Sequence, residues 1–251
     1  MKRVRVNQTE HGIRNGVPVF MKRRRASSSI VIWFGNRFLT LARSGVCMFV
    51  RADEWMEWEV YCSRLLYPDR PCVKTGPGET VSIAEVNGTS LRQLMSRNET
   101  DLKPIIAAAH ELRRVHQIHC RYFGGAWSHG DLHLDNILYD RMADRAILID
   151  FDTRHELGID PSRRHSDDLN VFLLELIAIH DERWFERATA FLEEYGNSTV
   201  LHELNRQLFV PRGFARILWY TRTNCAPIHQ TEQRMECLRQ MLCQMTAVAS
   251  N

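Results

Sequence analysis

Ser128-His129-Gly130-Asp131-Leu132-His133-Leu134-Asp135-Asn136-Ile137-Leu138 is the stretch from which the rest of the chain is read, with Ile149-Asp150-Phe151-Asp152 downstream. Asn136 follows Asp131 by five residues, and Asp150 follows Asn136 by fourteen. Two short apolar runs, Asn136 to Tyr139 and Ala146 to Phe151, flank the polar Asp140 to Arg145 and predict a β-hairpin. Such a hairpin sets Asn136 and Asp150 side by side at one end, where a hard cation takes oxygen from both. Asp131 adds a carboxylate that can orient or deprotonate a hydroxyl. Phosphoryl transfer from a nucleotide needs these parts, because positioning and charge neutralisation supply most of its catalysis. The bland alternative, acids that merely cap turns, does not explain the joint spacing.

Outward from this segment the chain reads as α+β. Upstream, Ser29 to Phe34 is a β-branched and aromatic run, Gly35-Asn36 offers a turn, Arg37 to Ala42 alternates, and Val46 to Arg51 makes a third strand. Asp53 is placed to cap a helix through Trp55, Trp58, Tyr61, Leu65 and Leu66, and Val81 to Val86 reads as a further strand. Downstream the pattern is helical: Leu102 to Ile118 before the hairpin, then Leu169 to Ile179, Trp184 to Tyr195, Leu201 to Leu208 and Gln230 to Val248. The expected division is a β-rich part over residues 1–86 and a helical part over residues 87–251.

The 251 residues suffice for one large domain or two small lobes with a shared core, and 44% hydrophobic with 25% charged residues is a globular balance. No apolar run is long enough to cross a bilayer, and Met1 to Val6 lacks the apolar core of a secretory signal. Seven cysteines, none in a Cys-x-x-Cys pair, argue against a disulfide framework or zinc knuckle and for a reducing, cytoplasmic setting. A net charge of only +3 gives no reason to expect nucleic acid as a partner. Lys2, Arg3 and Arg5, then Lys22-Arg23-Arg24-Arg25, concentrate base near the N-terminus. This is either a solvated face or a dock for acidic headgroups or a phosphorylated substrate. Arg212, Arg216 and Arg222 with Trp219 and Tyr220 form either a basic, aromatic acceptor site or a core helix with solvated arginines.

From about Ile32 to Leu176 these motifs resemble the protein-kinase-like superfamily. There a His-Arg-Asp loop carries an Asn five residues after its Asp, and a later Asp-Phe-Gly binds metal. The resemblance implies a two-lobed fold using ATP and Mg2+, with Asp131 catalytic and Asn136 and Asp150 as metal ligands. Gly130 stands where regulated protein kinases carry an arginine. His133 stands where a lysine is common, as it does in aminoglycoside and choline kinases, and serves either to donate to the transferring phosphate or as a structural histidine. The Ile-Asp-Phe-Asp string resembles the Kdo and lipopolysaccharide-core sugar kinases, which work at the cytosolic membrane surface. Asp152 then either supports the metal site or forms a turn with Thr153. Asp168, with Asp167 as second choice, is expected to buttress the catalytic loop.

The resemblance also calls for a strand lysine paired to a helix glutamate. Arg51 with Glu59 is the first choice here, and Lys22 on Val17 to Lys22 the second. Arginine is not an equivalent of lysine at such a site. Gly35 marks the expected phosphate-covering turn and Glu85 the expected adenine-binding edge. The short gap between Asp152 and Asp168 and the lack of Ala-Pro-Glu point away from a regulated protein kinase. The expected partners are ATP and a hydroxyl-bearing acceptor, a lipopolysaccharide-type sugar, glycolipid or other small molecule, with peripheral contact to an acidic membrane surface at the cytoplasmic side. An atypical serine/threonine protein kinase and a pseudokinase scaffold are the alternatives.

Overall fold

The computed structural model describes residues 6–25, 28–75, 80–97, 101–179 and 182–248. The chain starts with a β-hairpin, β1 (Asn7–Arg14) and β2 (Val17–Arg24). Its two-residue turn, Asn15-Gly16, has positive φ at both positions, the geometry that matches strand twist. Next come α1 (Ser28–Leu41), β3 (Val46–Met48), α2 (Ala52–Leu66), β4 (Cys72–Thr75) and β5 (Thr80–Ala84). The antiparallel sheet runs β1-β2-β5-β4, with α2 packed against β4 and β5.

After β5 come β6 (Thr89–Ser90), α3 (Leu91–Ser96), α4 (Lys103–Val115), β7 (His119–Cys120) and β8 (Gly125–Ala126). A 3-10 turn at Leu134–Asn136 leads into the hairpin β9 (Ile137–Asp140) and β10 (Arg145–Leu148), and β11 (Thr153–His155) follows. The chain then continues as α5 (Pro161–Ala178), α6 (Trp184–Tyr195), α7 (Ser198–Asn205), α8 (Phe214–Arg222) and α9 (Ile228–Val248). One apolar cluster runs from Phe49, Trp55 and Trp58 through Leu132, Leu134 and Phe151 to Leu242. Near its middle α5 is buried on most sides, and Phe172 stacks on Phe191 of α6 with centroids 4.0 Å apart. Among the described residues no helix is long and apolar enough to cross a membrane.

The α+β class is as expected, and α6 has the bounds the sequence predicts. The region from Ser29 to Ala42 differs: the two predicted strands and their turn are one helix, α1. The β-branched run Ile30-Val31-Ile32 resembles a strand locally, but Ile32 is buried while Gly35, Asn36 and Leu39 are half-buried on the same side. That is helical spacing. Gly35 therefore lies inside a helix, where it leaves room for the tip of Met48. Asn36 caps the backbone of β3: its Nδ2 donates to Met48 O and Met48 N donates to its Oδ1, both at 2.8 Å.

The predicted third strand is correspondingly displaced. β3 does not join the amino-terminal sheet but pairs antiparallel with β11, Met48 opposite Thr153. Helix α2 begins two residues earlier than expected, with Arg51 and not Asp53 at its N-cap, and Asp53 and Glu54 in the first turn complement the helix dipole.

Candidate functional site

The loop from Ser128 to Asn136 is held from below by α5. Asp168, fully buried, accepts hydrogen bonds from His129 N at 2.8 Å and Gly130 N at 2.7 Å. His116 Nε2 also donates to it, at 3.1 Å. Burial works against the Asp168 carboxylate, yet the His116 hydrogen bond, with His155 and His129 nearby, holds its pKa well below the usual range. Gly130 sits at φ +86°, and a Cβ there would come within 3.2 Å of the Arg154 backbone. A side chain is disfavoured at that position by conformation and space together. Asp167, the second-choice buttress, instead meets Arg222 Nη1 at 3.2 Å and His155 at 3.4 Å.

Asn136 closes the loop on itself by donating from Nδ2 to Asp131 O at 2.9 Å. Its own carbonyl accepts from Ile149 N at 2.9 Å, tying it to the residue before Asp150. His129 Nε2 donates to Ile149 O at 3.1 Å, a second link across the same gap. The predicted hairpin thus brings Asn136 and the Asp150 segment together.

Asp131 carries an ion pair. Its Oδ1 lies 2.6 Å from His133 Nε2, and His133 Nδ1 lies 3.0 Å from Glu175 Oε1. Burial disfavours the imidazolium, but the Asp131 and Glu175 carboxylates outweigh it and raise the His133 pKa to about 9. Burial likewise opposes the Asp131 charge, and His133 followed by His129 bring that pKa down to about 2. Near neutral pH the pair is therefore ionised, and Asp131 is a weak base suited to orienting a hydroxyl. Glu175 on α5 also accepts from Leu134 N at 2.8 Å and meets Arg92 Nη2 at 2.5 Å. Arg92 in turn donates to Asp135 at 2.7 Å, so α3, α5 and the loop are locked into one network.

Lys22 is the centre of the second cluster. Its Nζ lies 3.0 Å from Glu59 Oε1, 2.6 Å from Asp150 Oδ1 and 3.4 Å from Asp152 Oδ1. Strand β2 supplies the lysine, α2 the glutamate, and the segment after β10 the two aspartates. Burial lowers the Lys22 pKa, but the carboxylates outweigh it, Asp150 first, and it rises well above its ordinary value. Glu59, fixed also by Phe151 N at 3.1 Å, is raised by burial despite Lys22. Asp150 is lowered, Lys22 overcoming its burial. Burial and then the Asp150 charge push Asp152 up to about 7.

Asp152 neither stands free nor forms a simple turn. Asn7 Nδ2 contacts both of its oxygens at 2.7 Å and Trp55 Nε1 donates at 2.8 Å. Asp150 adopts φ +69°, an uncommon conformation for a non-glycine residue and one that collects at functional sites. The oxygens of Glu59, Asp150 and Asp152 lie within 4.8 Å of one another. These three carboxylates are an all-oxygen donor set, the kind that a hard cation such as Mg2+ takes. The Asp131 and Asp150 side chains are 39% and 40% exposed, so both are open to a ligand from solvent.

Several predicted site residues lie elsewhere. Arg51 is exposed and pairs with Asp53 at 2.6 Å, not with Glu59. Eight residues along α2 separate it from Glu59, about 12 Å of helix rise, and Lys22 occupies the glutamate. Gly35, within α1, covers no turn above Lys22. Glu85, by contrast, stands at the end of its strand as expected, just past β5, 4.0 Å from His11 and with its N–H donating to Pro18 O at 2.9 Å. The basic cluster is also divided. Lys22 and Arg24 turn inward, Arg24 donating to Phe49 O at 2.7 Å, while Arg23 and Arg25 are exposed. Lys2, Arg3 and Arg5 lie outside the described residues.

Sequence reasoning missed Asn7, Arg92 and Glu175. The Asn15-Gly16 turn was a signal for the hairpin that carries Asn7 and Lys22, but nothing local marks Arg92 or Glu175. No protein-family model matches the chain, and a search of curated proteins gives no match.

Proposed function

We propose that the chain is an ATP- and Mg2+-dependent phosphotransferase of the two-lobed, protein-kinase-like kind. The observation that carries this reading is the meeting of Lys22 from β2, Glu59 from α2 and Asp150 from beyond the hairpin, beside the Asp131–Asn136 loop. A lysine held by a helix glutamate and directed at a metal-binding aspartate is an arrangement for gripping nucleotide phosphates. The Lys22 pairing gives the phosphate clamp a lysine in place of Arg51, which speaks against the pseudokinase alternative.

In this reading Lys22 moves from Asp150 onto the phosphate oxygens when nucleotide enters, while Glu59 keeps its ammonium in place. Asn136 and Asp150, with Asp152 beside them, would hold Mg2+, which supplies charge neutralisation between the phosphates. Asp131 accepts a hydrogen bond from the acceptor hydroxyl and aligns its oxygen for in-line attack. The new O–P bond forms as the bond to the ADP oxygen breaks, that oxygen keeps the electron pair, and the hydroxyl proton passes to Asp131 late. His133, already charged, adds a positive group beside the transferring oxygens without needing a proton from solvent.

The acceptor is proposed to be a sugar or other small hydroxyl compound, a lipopolysaccharide-type sugar being the first to try. Only residues 153–160 separate Asp152 from α5, and three of them form β11. That leaves little chain from which to build a platform for an extended peptide, so a protein acceptor is the second reading. The test is transfer from γ-labelled ATP to a panel of glycolipid, aminoglycoside and protein acceptors, with Asp131→Ala and Asp150→Asn as controls. Transfer to one class, lost in both variants, supports the reading. No transfer, autophosphorylation or ATP hydrolysis under any condition would refute it.

A further inference from the structure

Helix α1 is apolar on the side where a helix facing water is normally polar. Ile30, Trp33, Phe34 and Leu41 are each more than half exposed, and their spacing puts them on one stripe. Helix α8 lies against α1, with the Phe38 ring meeting Phe214 edge-on at 6.5 Å. Phe214 and Ile217 on α8 are themselves half exposed or more. Two adjoining helices thus present large apolar tips that none of the described residues covers.

The two helices carry charge of one sign. Neither contains an acidic residue: α1 carries Arg37, with Arg43 just past it, and α8 carries Arg216 and Arg222, with Arg212 just before it. Arg37, Arg43, Arg212 and Arg216 are exposed. The Arg37 guanidinium lies over the Trp33 ring at 5.7 Å, within the apolar stripe itself.

We propose that the α1–α8 face docks the protein on the headgroup layer of an anionic membrane. Aromatic and aliphatic tips would enter the boundary between headgroups and acyl chains, and the guanidinium groups would meet lipid phosphates. The lack of carboxylates on either helix, with arginines set among the apolar tips, is the complementarity that selects an anionic surface. This surface is distinct from the amino-terminal basic run, two of whose residues, Lys22 and Arg24, face inward. The docking is independent of any phosphotransfer. It does tie the face to the site by two short paths, Asn36 through β3 to β11 and Arg222 through Asp167 to Asp168.

The test is co-sedimentation of the full chain with vesicles of phosphatidylcholine alone or mixed with phosphatidylglycerol. The expected result is binding to the anionic vesicles, weaker by about tenfold or more on neutral vesicles and in Ile30→Ser/Phe34→Ser. Because both positions are exposed, the double variant should unfold at the parent's temperature, and Asp131→Ala should bind vesicles like the parent. Equal binding by parent and double variant would overturn the proposal, as would no binding to anionic vesicles. A concentration-dependent dimer that the double variant abolishes, without vesicle binding, would assign the face to a second copy and equally overturn it.

Discussion

Lys22 Nζ lies 2.6 Å from Asp150 Oδ1 and 3.0 Å from Glu59 Oε1, so one ammonium from β2 neutralises carboxylates from two other parts of the chain. Removing it leaves Glu59, Asp150 and Asp152 facing one another. Lys22→Met is expected to lose ~3–5 kcal/mol of stability in urea unfolding, as for other broken buried pairs. Mg2+ should raise the melting temperature of this variant more than that of the parent, because a divalent cation then replaces the missing ammonium. An equal Mg2+ response in both proteins would count against the carboxylate cluster as a cation site.

The His133 imidazolium is held by Asp131 and Glu175, and its pKa of about 9 lies above the ordinary 6.5. The folded state therefore binds the extra proton between those values, and the unfolded state does not. This contribution is fully present below pH 6.5 and is lost as pH rises through 9. His133→Gln should flatten the fall in stability over that window, a change on the order of 1–3 kcal/mol. Chemical denaturation at half-unit pH steps measures it, and parallel parent and variant curves would refute the assignment.

Asp168 is buried beneath the loop with three donors directed at it. Asp168→Ala leaves two backbone N–H groups and His116 without their acceptor and should cost ~3–5 kcal/mol. Asp167→Ala, by contrast, loses only the partner of Arg222 and His155 and is expected to leave the loop in place. Hydrogen exchange at His129 and Gly130 separates the two: fast exchange in the Asp168 variant alone is the expected result.

Gly130 is required by its φ of +86° and by the nearby Arg154 backbone. Gly130→Ala should destabilise by ~1–3 kcal/mol and displace Asp131 from its alignment. Gly158→Ala, also at positive φ but with open space around its Cβ position, isolates the conformational part of that cost. Equal losses in the two variants would contradict the steric argument.

The segment from Ser128 to Asp152 was legible because its chemistry is local. A loop, a hairpin and fixed spacings decide where Asp131, Asn136 and Asp150 fall, and Asp168 follows from its short spacing after Asp152, although its helix begins at Pro161 and not, as expected, at Leu169. Helix α1 was not legible, since apolar side chains on both its inner and outer faces hide the helical period and leave a β-branched run that imitates a strand. That error moved the strand count and favoured Arg51 over Lys22. The Asn15-Gly16 turn, which that reading passed over, marks the hairpin that carries Lys22. The Asn7–Asp152 and Arg92–Glu175 contacts join residues far apart in sequence, and only the packing of the sheet and helices brings them together.

The central claim is that Lys22, not Arg51, grips the nucleotide for transfer. It is tested most directly by turnover of γ-labelled ATP with Mg2+ in the parent, Lys22→Arg and Arg51→Ala. The account predicts a loss of about a hundredfold or more in Lys22→Arg, which keeps the charge but not the compact ammonium, and turnover close to the parent's in Arg51→Ala. Turnover that survives Lys22→Arg and fails in Arg51→Ala would contradict it.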